Sequence, residues 1–239
     1  MTLDVIVFAS HPDDAELTMG GTIAKFTLNN LKVGIIDLTK GELSTRGTTK
    51  TRQKEAKRAA AILKTTIREN LHIPDGGIVR NKENLMKIIK IIRRYKPKIV
   101  FAPYFNDRHP DHIDASILVK EAVFSSGLAK IITQHKNIRQ EAYRPKRIFY
   151  YMQTYTFDPS FIVDITGYHE VKMEAVKSYS TQFYDSKNKE PQTFISRPEF
   201  INYIESRALF YGFQIGKQYG EPFYSEEKIE LDLLALIKE

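Results

Sequence analysis

The sequence predicts an α/β protein with a Rossmann-like, mainly parallel sheet and helices on both of its faces. Three observations indicate this class. Short, β-branched apolar segments alternate with helix-like segments through the first half of the chain, which is typical of a parallel sheet with crossover helices. His- and Asp-rich turns follow two of the apolar segments, where such sheets bind ligands. The length of 239 residues suits one domain.

Four strands and three helices are predicted in the first half. Three of the strands are short apolar runs bounded by polar residues, at 3–10, 33–38 and 98–103, and 67–71 is a further short strand candidate. The helices between them are at 15–28, 51–63 and 83–95. In the last of these, Leu85, Ile88, Ile89 and Ile92 follow helical spacing, and Pro97 ends the helix.

The second half has a less regular pattern. It predicts strands at 147–152 and 161–165 and helices at 171–182 and 198–211. The polar segment 183–196 contains Pro191 and is predicted to be a loop. We therefore expect one domain over residues 1–239, with a Rossmann-like core at about 1–130 and a more irregular α/β part at about 131–239.

Composition limits the kind of metal site and the class of partner that the protein can have. The chain has no cysteine, so a metal would be bound through nitrogen and oxygen. The net charge of +7 comes from scattered Lys and Arg without an aromatic-rich motif, which favours a solvated basic surface over nucleic-acid binding. The N-terminus lacks a signal-peptide pattern and the apolar runs are strand-sized, so we expect a cytoplasmic protein that does not engage a membrane.

The first chemistry-bearing motif is the segment HPDD, which begins at His11 and ends with Asp13 and Asp14. It lies between the first predicted strand and the first helix. A helix N-cap with acidic residues in the first turn would explain one aspartate. It would not explain a histidine together with two adjacent carboxylates.

The second motif is DRHPDH, which contains His109, Asp111 and His112 and follows the strand at 98–103. By itself it could be a polar turn at a helix start. The two motifs occupy equivalent strand-to-helix positions, however, and contain three of the six histidines. The fold is therefore expected to bring them together.

Two histidine nitrogens and one carboxylate form an open zinc site in many hydrolases. His11, one of the two aspartates of the first motif and one of the later histidines could supply this set. The remaining aspartate could act as general base and the remaining histidine could stabilise an oxyanion. Spacing does not decide which residue takes which role, and Fe²⁺ suits the same ligands.

The paired motifs resemble the LmbE-like, or PIG-L, superfamily of zinc-dependent N-acetylglucosamine deacetylases. Supporting segments are LTKGE at 38–42, RQKEA at 52–56 and LHIPDG at 71–76, and the resemblance extends from about residue 4 to about residue 224. The segments GELSTRGT, RPKRIFYYMQ, FIVDITGY, YSTQFYDSKNKEPQTFIS and YGEPF are most similar to the deacetylases of bacillithiol biosynthesis. This implies hydrolysis of N-acetylglucosaminyl-malate, with other N-acetylated sugars, such as N-acetylglucosamine or chitobiose, as the alternative.

The resemblance also implies roles for individual residues. His11, Asp14 and His112 match the positions of the zinc ligands, with one zinc per chain, and Asp13 matches the general base. Relatives form homo-oligomers, including hexamers, so the resemblance implies such an assembly here.

Further roles implied by the resemblance concern the oxyanion and the substrate. His109 would stabilise the oxyanion and Asp111 would orient His109. Arg52 and Arg108 would contact the small sugar substrate. Some relatives have a tyrosine near the metal, and Phe200 occupies one such position here.

Some other residues could also belong to the site, whereas several have structural interpretations. Asp107 occupies a second position where relatives have a site residue, and Tyr184 or Tyr203 could replace the missing tyrosine. Gly20 and Gly21 fit close packing of the first helix better than phosphate binding, because no GxGxxG motif follows the first strand. Without those glycines, Asp37 is not expected to bind a ribose, and Asp75 is predicted to be a turn residue.

Two other functions are compatible with parts of the pattern. A two-metal phosphoesterase would need more His and carboxylate ligands than the two motifs supply. A non-enzymatic anion-binding protein is suggested by the charge alone.

Overall fold

A computed structural model describes residues 1–230, and within them seven strands form one mixed sheet in the order β3-β2-β1-β4-β7-β9-β8. Strands β1, β2, β3, β4 and β7 are mutually parallel, whereas β9 is antiparallel to both β7 and β8. The predicted α/β class with a mainly parallel sheet is confirmed. The strands contributed by the second half extend the sheet of the first half.

The strands of this sheet are β1 (Val5–Ala9), β2 (Val33–Asp37), β3 (Ile67–Asn70), β4 (Ile99–Pro103), β7 (Arg147–Tyr151), β8 (Phe161–Asp164) and β9 (Gly220–Tyr224). Two short strands, β5 (Gln134–His135) and β6 (Ile138–Arg139), form a separate hairpin. The helices are α1 (Asp14–Leu28), α2 (Thr49–Ile62), α3 (Lys82–Tyr95), α4 (Pro110–Ser126), α5 (His169–Lys177) and α6 (Glu199–Gln214), with a 3-10 turn at Thr166–Tyr168.

Each face of the sheet has its own apolar core. On one face, side chains of α1, α2, α5 and α6 pack together, including Ile23, Val176 and Ile204. On the other face, α3 and α4 pack through residues such as Ile88 and Val119. Burial on both faces explains why the central strands β1, β2 and β4 are largely apolar in the sequence.

Helix α5 and strand β9 both differ from the sequence prediction. Helix α5 ends at Lys177, five residues before the predicted end at residue 182, because the following turn binds the carboxylate of Glu55 through the Thr181 amide and hydroxyl. Strand β9 is missing from the sequence prediction because its sequence, GEPFY, contains three residue types that are depleted in strands. It enters the sheet only by pairing with β7 and β8.

The helices that carry the two motifs begin at the same edge of the sheet. Helix α1 follows β1 and α4 follows β4, and these two strands are neighbours. The carboxyl ends of all five parallel strands therefore meet at this edge. Within residues 1–230, no helix combines the length and apolar character needed to cross a bilayer.

Candidate metal centre and active site

A cavity of about 430 Å³ opens at the carboxyl ends of the parallel strands. The loops after β1, β2, β3, β4 and β7 all contribute to its wall, as do the loop before α6 and α6 itself. Both predicted motifs face it, through His11, Asp13 and Asp14 on one side and His109 and His112 on the other. The expected convergence of the two motifs is present in the structure.

His11, Asp14 and His112 form a compact cluster whose ligand atoms lie within 4.8 Å of one another. The Asp14 carboxylate lies between the two rings, with Oδ2 3.6 Å from His11 Nδ1 and Oδ1 3.5 Å from His112 Nε2. The His11 main-chain amide also donates to Asp14 Oδ2 at 2.8 Å, which fixes the carboxylate. These distances suit three groups that converge on one ion without bonding to each other.

The far nitrogen of each histidine contacts a carboxylate. His112 Nδ1 lies 2.8 Å from Asp107 Oδ1. His11 Nε2 lies 3.2 Å from both Asp111 Oδ2 and Asp75 Oδ1. Metal-binding histidines commonly donate their other ring N–H to a carboxylate, which fixes the tautomer and orients the ring.

A second group, His11, His109 and Asp111, also has ligand atoms within 4.8 Å. In this group Asp111 Oδ2 already hydrogen-bonds His11 Nε2, which also contacts Asp75. The first group leaves those contacts intact and has a carboxylate behind each ring. The donor set His11, Asp14 and His112 is therefore the better fit for a divalent metal.

The charged groups around this cluster shift one another's pKa values. Although burial opposes protonation, hydrogen bonds that the Asp111 and Asp14 carboxylates accept raise the pKa of His11 well above its usual value. Burial also opposes protonation of His112, but the Asp14 charge and the Asp107 hydrogen bond raise its pKa to about 9. The carboxylates of Asp14, Asp75, Asp107 and Asp111 all lie within 3.6 Å of a ring nitrogen of these two histidines, an arrangement that suits a cation.

Asp13 is buried beside the metal-binding group but is not part of it. Its backbone has φ 110°, a left-handed conformation that is rare for a residue other than glycine and is typical of strained functional sites. Burial raises the pKa of Asp13 to about 7, against the opposing charge of Arg52, whose Nη2 lies 3.2 Å from Asp13 Oδ2. Asp13 lines the cavity and is placed to exchange a proton there.

His109 lies next to this cluster and is exposed to solvent. It is the N-cap residue of α4, and its Nδ1 accepts a hydrogen bond from the Asp111 amide at 3.2 Å. Its ring centroid lies 4.8 Å from those of both His11 and His112. Burial and the positive charge of these two histidines lower the pKa of His109.

The contact of Asp111 differs from the expected one. Its carboxylate lies against His11 Nε2, whereas only its main-chain amide contacts His109. The Gly76 amide donates to the same Asp111 oxygen at 2.8 Å and holds the carboxylate on the His11 side. Asp111 is therefore placed to orient His11.

The two predicted substrate-binding arginines line the cavity in different ways. The guanidinium of Arg52 is buried, contacts Asp13 and donates to the Pro12 carbonyl. Arg108 is exposed, and its guanidinium carbon lies 4.6 Å from the centroid of the Phe194 ring across the cavity mouth. Arg52 is thus tied to the Asp13 carboxylate, whereas Arg108 lies at the rim.

Tyr203, one of the two tyrosine candidates, lines the cavity beside Phe200. Tyr184 is exposed and does not belong to the cavity wall. Two further residues of the site are Asp75, for which the sequence favours a turn but leaves a site role open, and Arg207, which the sequence does not predict. Asp75 contacts His11, and Arg207 reaches the cavity from α6. A strand-end position is the one signal for Asp75, and no sequence signal indicates Arg207.

Comparisons with known proteins find similar deacetylases. Residues 6–123 match the family model described as PIG-L, GlcNAc-PI de-N-acetylase. The diacetylchitobiose deacetylase of Thermococcus kodakarensis (strain ATCC BAA-918 / JCM 12380 / KOD1) is 31% identical over 229 residues, which cover 91% of this chain and 80% of that protein.

Two solved structures are similar over most of their length. A conserved protein of Thermus thermophilus superposes with a TM-score of 0.86 at 36% identity, with 97% of this chain and 98% of the other covered. The N,N'-diacetylchitobiose deacetylase of Pyrococcus horikoshii, in complex with its inhibitor MPG, has a TM-score of 0.79 at 28% identity, with 92% and 82% covered.

Proposed function

This chain belongs to the PIG-L family, and from that premise we propose that it is a zinc-dependent hydrolase that removes the acetyl group from an N-acetylglucosamine unit. One observation carries the proposal. A buried His₂Asp group, with a carboxylate behind each histidine, lies in a cavity beside a further carboxylate, Asp13, and a further histidine, His109. This is the set of groups that amide hydrolysis requires.

His11, Asp14 and His112 would hold the zinc ion. The fit follows from the donor chemistry, because two imidazoles and one carboxylate leave a coordination position open. The carboxylates of Asp107 and Asp111 would keep the two imidazoles in the required tautomers. When bound, zinc supplies Lewis-acid chemistry to a carbonyl group and makes water more acidic.

Asp13 would act as the general base. Its carboxylate faces the cavity beside the metal-binding group and can take the proton of the water that attacks the amide carbon. The neighbouring Arg52 guanidinium fixes the position of this carboxylate, at 3.2 Å.

His109 would stabilise the negative oxygen that develops on the amide carbon. It is exposed to the cavity, and the Asp111 amide contacts its Nδ1, which leaves Nε2 to donate to substrate. The departing sugar nitrogen then receives its proton from Asp13 or His109.

The first candidate substrate is a short N-acetylated oligosaccharide such as diacetylchitobiose. It is supported by the 31% identity with the Thermococcus kodakarensis diacetylchitobiose deacetylase over most of both chains. The cavity volume of about 430 Å³ lies within the range of small-molecule sites.

N-acetylglucosaminyl-malate is the second candidate, and charge in the cavity favours it. Within residues 1–230, neither Arg108 nor Arg207 forms an ion pair with a carboxylate, although both line the cavity. Two guanidinium groups near the substrate suit an anionic aglycone. The segments that resemble the bacillithiol deacetylases support the same candidate.

The test is release of free amine by the zinc-loaded protein from three substrates: diacetylchitobiose, N-acetylglucosaminyl-malate and N-acetylglucosamine. We expect turnover that a chelator abolishes and zinc restores. A strong preference for the malate glycoside would select the second candidate over the first. No turnover of any of the three by protein that retains its zinc would contradict the proposed function.

Three further predictions belong to this proposal. We expect zinc at one ion per chain, with Fe²⁺ as the alternative metal. We also expect a homo-oligomer, with a hexamer as one form, and a cytoplasmic location. Metal analysis of protein purified without added zinc tests the metal content. The mass of the protein in solution tests the oligomeric state.

A further inference from the structure

Helix α1 is broken five residues after its start. Met19 has φ −137° and ψ 25°, which are not helical values, although the residues on both sides belong to the helix. The first segment, from Asp14 to Thr18, is too short to be stable by itself. It nevertheless carries the proposed zinc ligand Asp14 and directly follows Asp13.

Side chains from the second half of the protein bind the backbone groups at this break. In a regular helix the amides of Gly21 and Thr22 donate to the carbonyls four residues earlier. Here both amides donate to the carboxylate of Glu221, at 3.0 and 2.7 Å. The Leu17 carbonyl, on the other side of the break, accepts from Arg207 Nη2 at 3.2 Å.

The Glu221 carboxylate is completely buried and is paired with a buried lysine. Lys172 Nζ donates to Glu221 Oε1 at 2.7 Å, and both side chains have about 2% of their surface exposed. The stem of Lys172 crosses α1 at Gly20, where a Cβ atom would lie 3.0 Å from Lys172 Cγ. Gly20 thus allows this close approach to α5, whereas Gly21 allows the close approach of Ile165.

A buried ion pair is a poor source of stability, because desolvation of both charges offsets their attraction. The position of the Glu221–Lys172 pair instead affects the geometry of α1. Strand β9, helix α5 and helix α6 supply Glu221, Lys172 and Arg207, and all three groups meet at the break that ends the first segment of α1.

The break also lies next to the cavity. Leu17 and Thr18 line its wall, and Thr18 Oγ1 donates to the Asp14 carbonyl at 2.6 Å. Arg207 donates to the Gln153 carbonyl as well, so it joins the break to a second part of the wall. A shift of this segment would move both Asp13 and Asp14.

We propose that Glu221 is a positioning residue: its carboxylate fixes the break in α1 and thereby holds Asp13 and Asp14 in the geometry that zinc binding and deacetylation require. The effect of Glu221 on catalysis rests on the proposed function. Its effect on metal binding rests on the geometry of α1 alone.

The test uses Glu221→Gln, which keeps the size of the side chain but supplies a single acceptor oxygen and places an NH₂ group toward donors. Two quantities are measured well below the melting temperature: the zinc dissociation constant and the kcat for the best substrate. We expect zinc to bind about tenfold more weakly and, at saturating zinc, kcat to fall at least tenfold with little change in KM.

Arg93→Met is the matched control for a general loss of stability. Arg93 is also buried, and it donates to the carbonyls of Ser126, Leu128 and Ile131 at the opposite edge of the sheet. This variant should melt at a lower temperature but retain the zinc affinity and kcat of the original protein. If Glu221 had only a structural role, Glu221→Gln would likewise melt at a lower temperature and retain the zinc affinity and kcat of the original protein.

Wild-type-like zinc affinity and kcat, within twofold, in folded Glu221→Gln protein would overturn the proposal. If that variant does not fold, Glu221→Asp is measured by the same criterion, because it keeps the charge that Lys172 needs but withdraws it from α1. If the original protein hydrolyses none of the sugars, the proposed function fails, and the zinc affinities of the variants still decide whether Glu221 positions Asp14.

Discussion

Asp107 Oδ1 lies 2.8 Å from His112 Nδ1, on the side of the imidazole ring that faces away from Asp14. The other Asp107 oxygen accepts from the amides of Thr154 and Tyr155, at 2.7 and 3.2 Å. The carboxylate is therefore fixed by the loop after β7 and can in turn fix the ring of His112, a proposed zinc ligand.

For Asp107→Asn we expect zinc affinity to fall about tenfold to a hundredfold, because the amide cannot accept from the imidazole and from the amides as the carboxylate does. Equilibrium dialysis against a zinc buffer measures the change. Asp4→Asn is the control, since Asp4 pairs with the exposed Lys98 far from the site. Equal zinc affinity in both variants would exclude the orienting role of Asp107.

Asp13→Asn should lower kcat by a factor of about 10² to 10⁴, because the amide cannot take a proton from water. Zinc content should stay near that of the original protein, since Asp13 does not belong to the metal-binding group. The measurement is kcat together with metal content of the same sample. Turnover close to normal in zinc-loaded protein would exclude Asp13 as the base.

Zinc should stabilise the fold through His112. At a free zinc concentration of one hundred times the dissociation constant, the expected gain in the free energy of unfolding is about 2.7 kcal/mol. Chelation should remove this gain, which thermal melting with and without chelator measures. His112→Ala should show no zinc-dependent shift, whereas His135→Ala, in the separate hairpin, should keep it.

Arg68 should contribute strongly to stability. Its guanidinium contacts the carboxylates of Asp37, at 2.8 Å, and of Glu16, and all three side chains are at least nine-tenths buried. Arg68→Met leaves two buried carboxylates without their cation, so we expect a loss of about 3–5 kcal/mol in the free energy of unfolding.

Urea denaturation measures this loss. Arg80→Met removes an exposed pair with Glu121 and should change the free energy of unfolding by less than about 0.5 kcal/mol. Similar stabilities for the two variants would show that the Arg68 contacts contribute no more than a surface pair.

Arg108→Ala tests charge recognition at the cavity rim. If the aglycone is anionic, KM for N-acetylglucosaminyl-malate should rise about tenfold, which corresponds to about 1.4 kcal/mol, whereas KM for diacetylchitobiose should change less. Arg139→Ala is the control, because Arg139 is exposed on the separate hairpin. An equal effect on both substrates would assign Arg108 a role that does not depend on the aglycone's charge.

Sequence by itself determined the parallel α/β core and the meeting of the two motifs. Strand and helix periodicity are local properties, and the connection rules of parallel sheets place His11, Asp14 and His112 at one edge without further information. The resemblance then implied which aspartate binds metal and which acts as base, and the separate positions of Asp14 and Asp13 in the structure are compatible with it.

Tertiary structure decided the contacts that no local pattern encodes. It placed Asp111 against His11 instead of His109, Asp107 behind His112, and Glu221 at a break in a helix 200 residues earlier in the chain. A buried polar group must find a partner, but the sequence does not specify which one when many are available. That choice depends on how α5, α6 and β9 pack against the sheet, which only the complete fold determines.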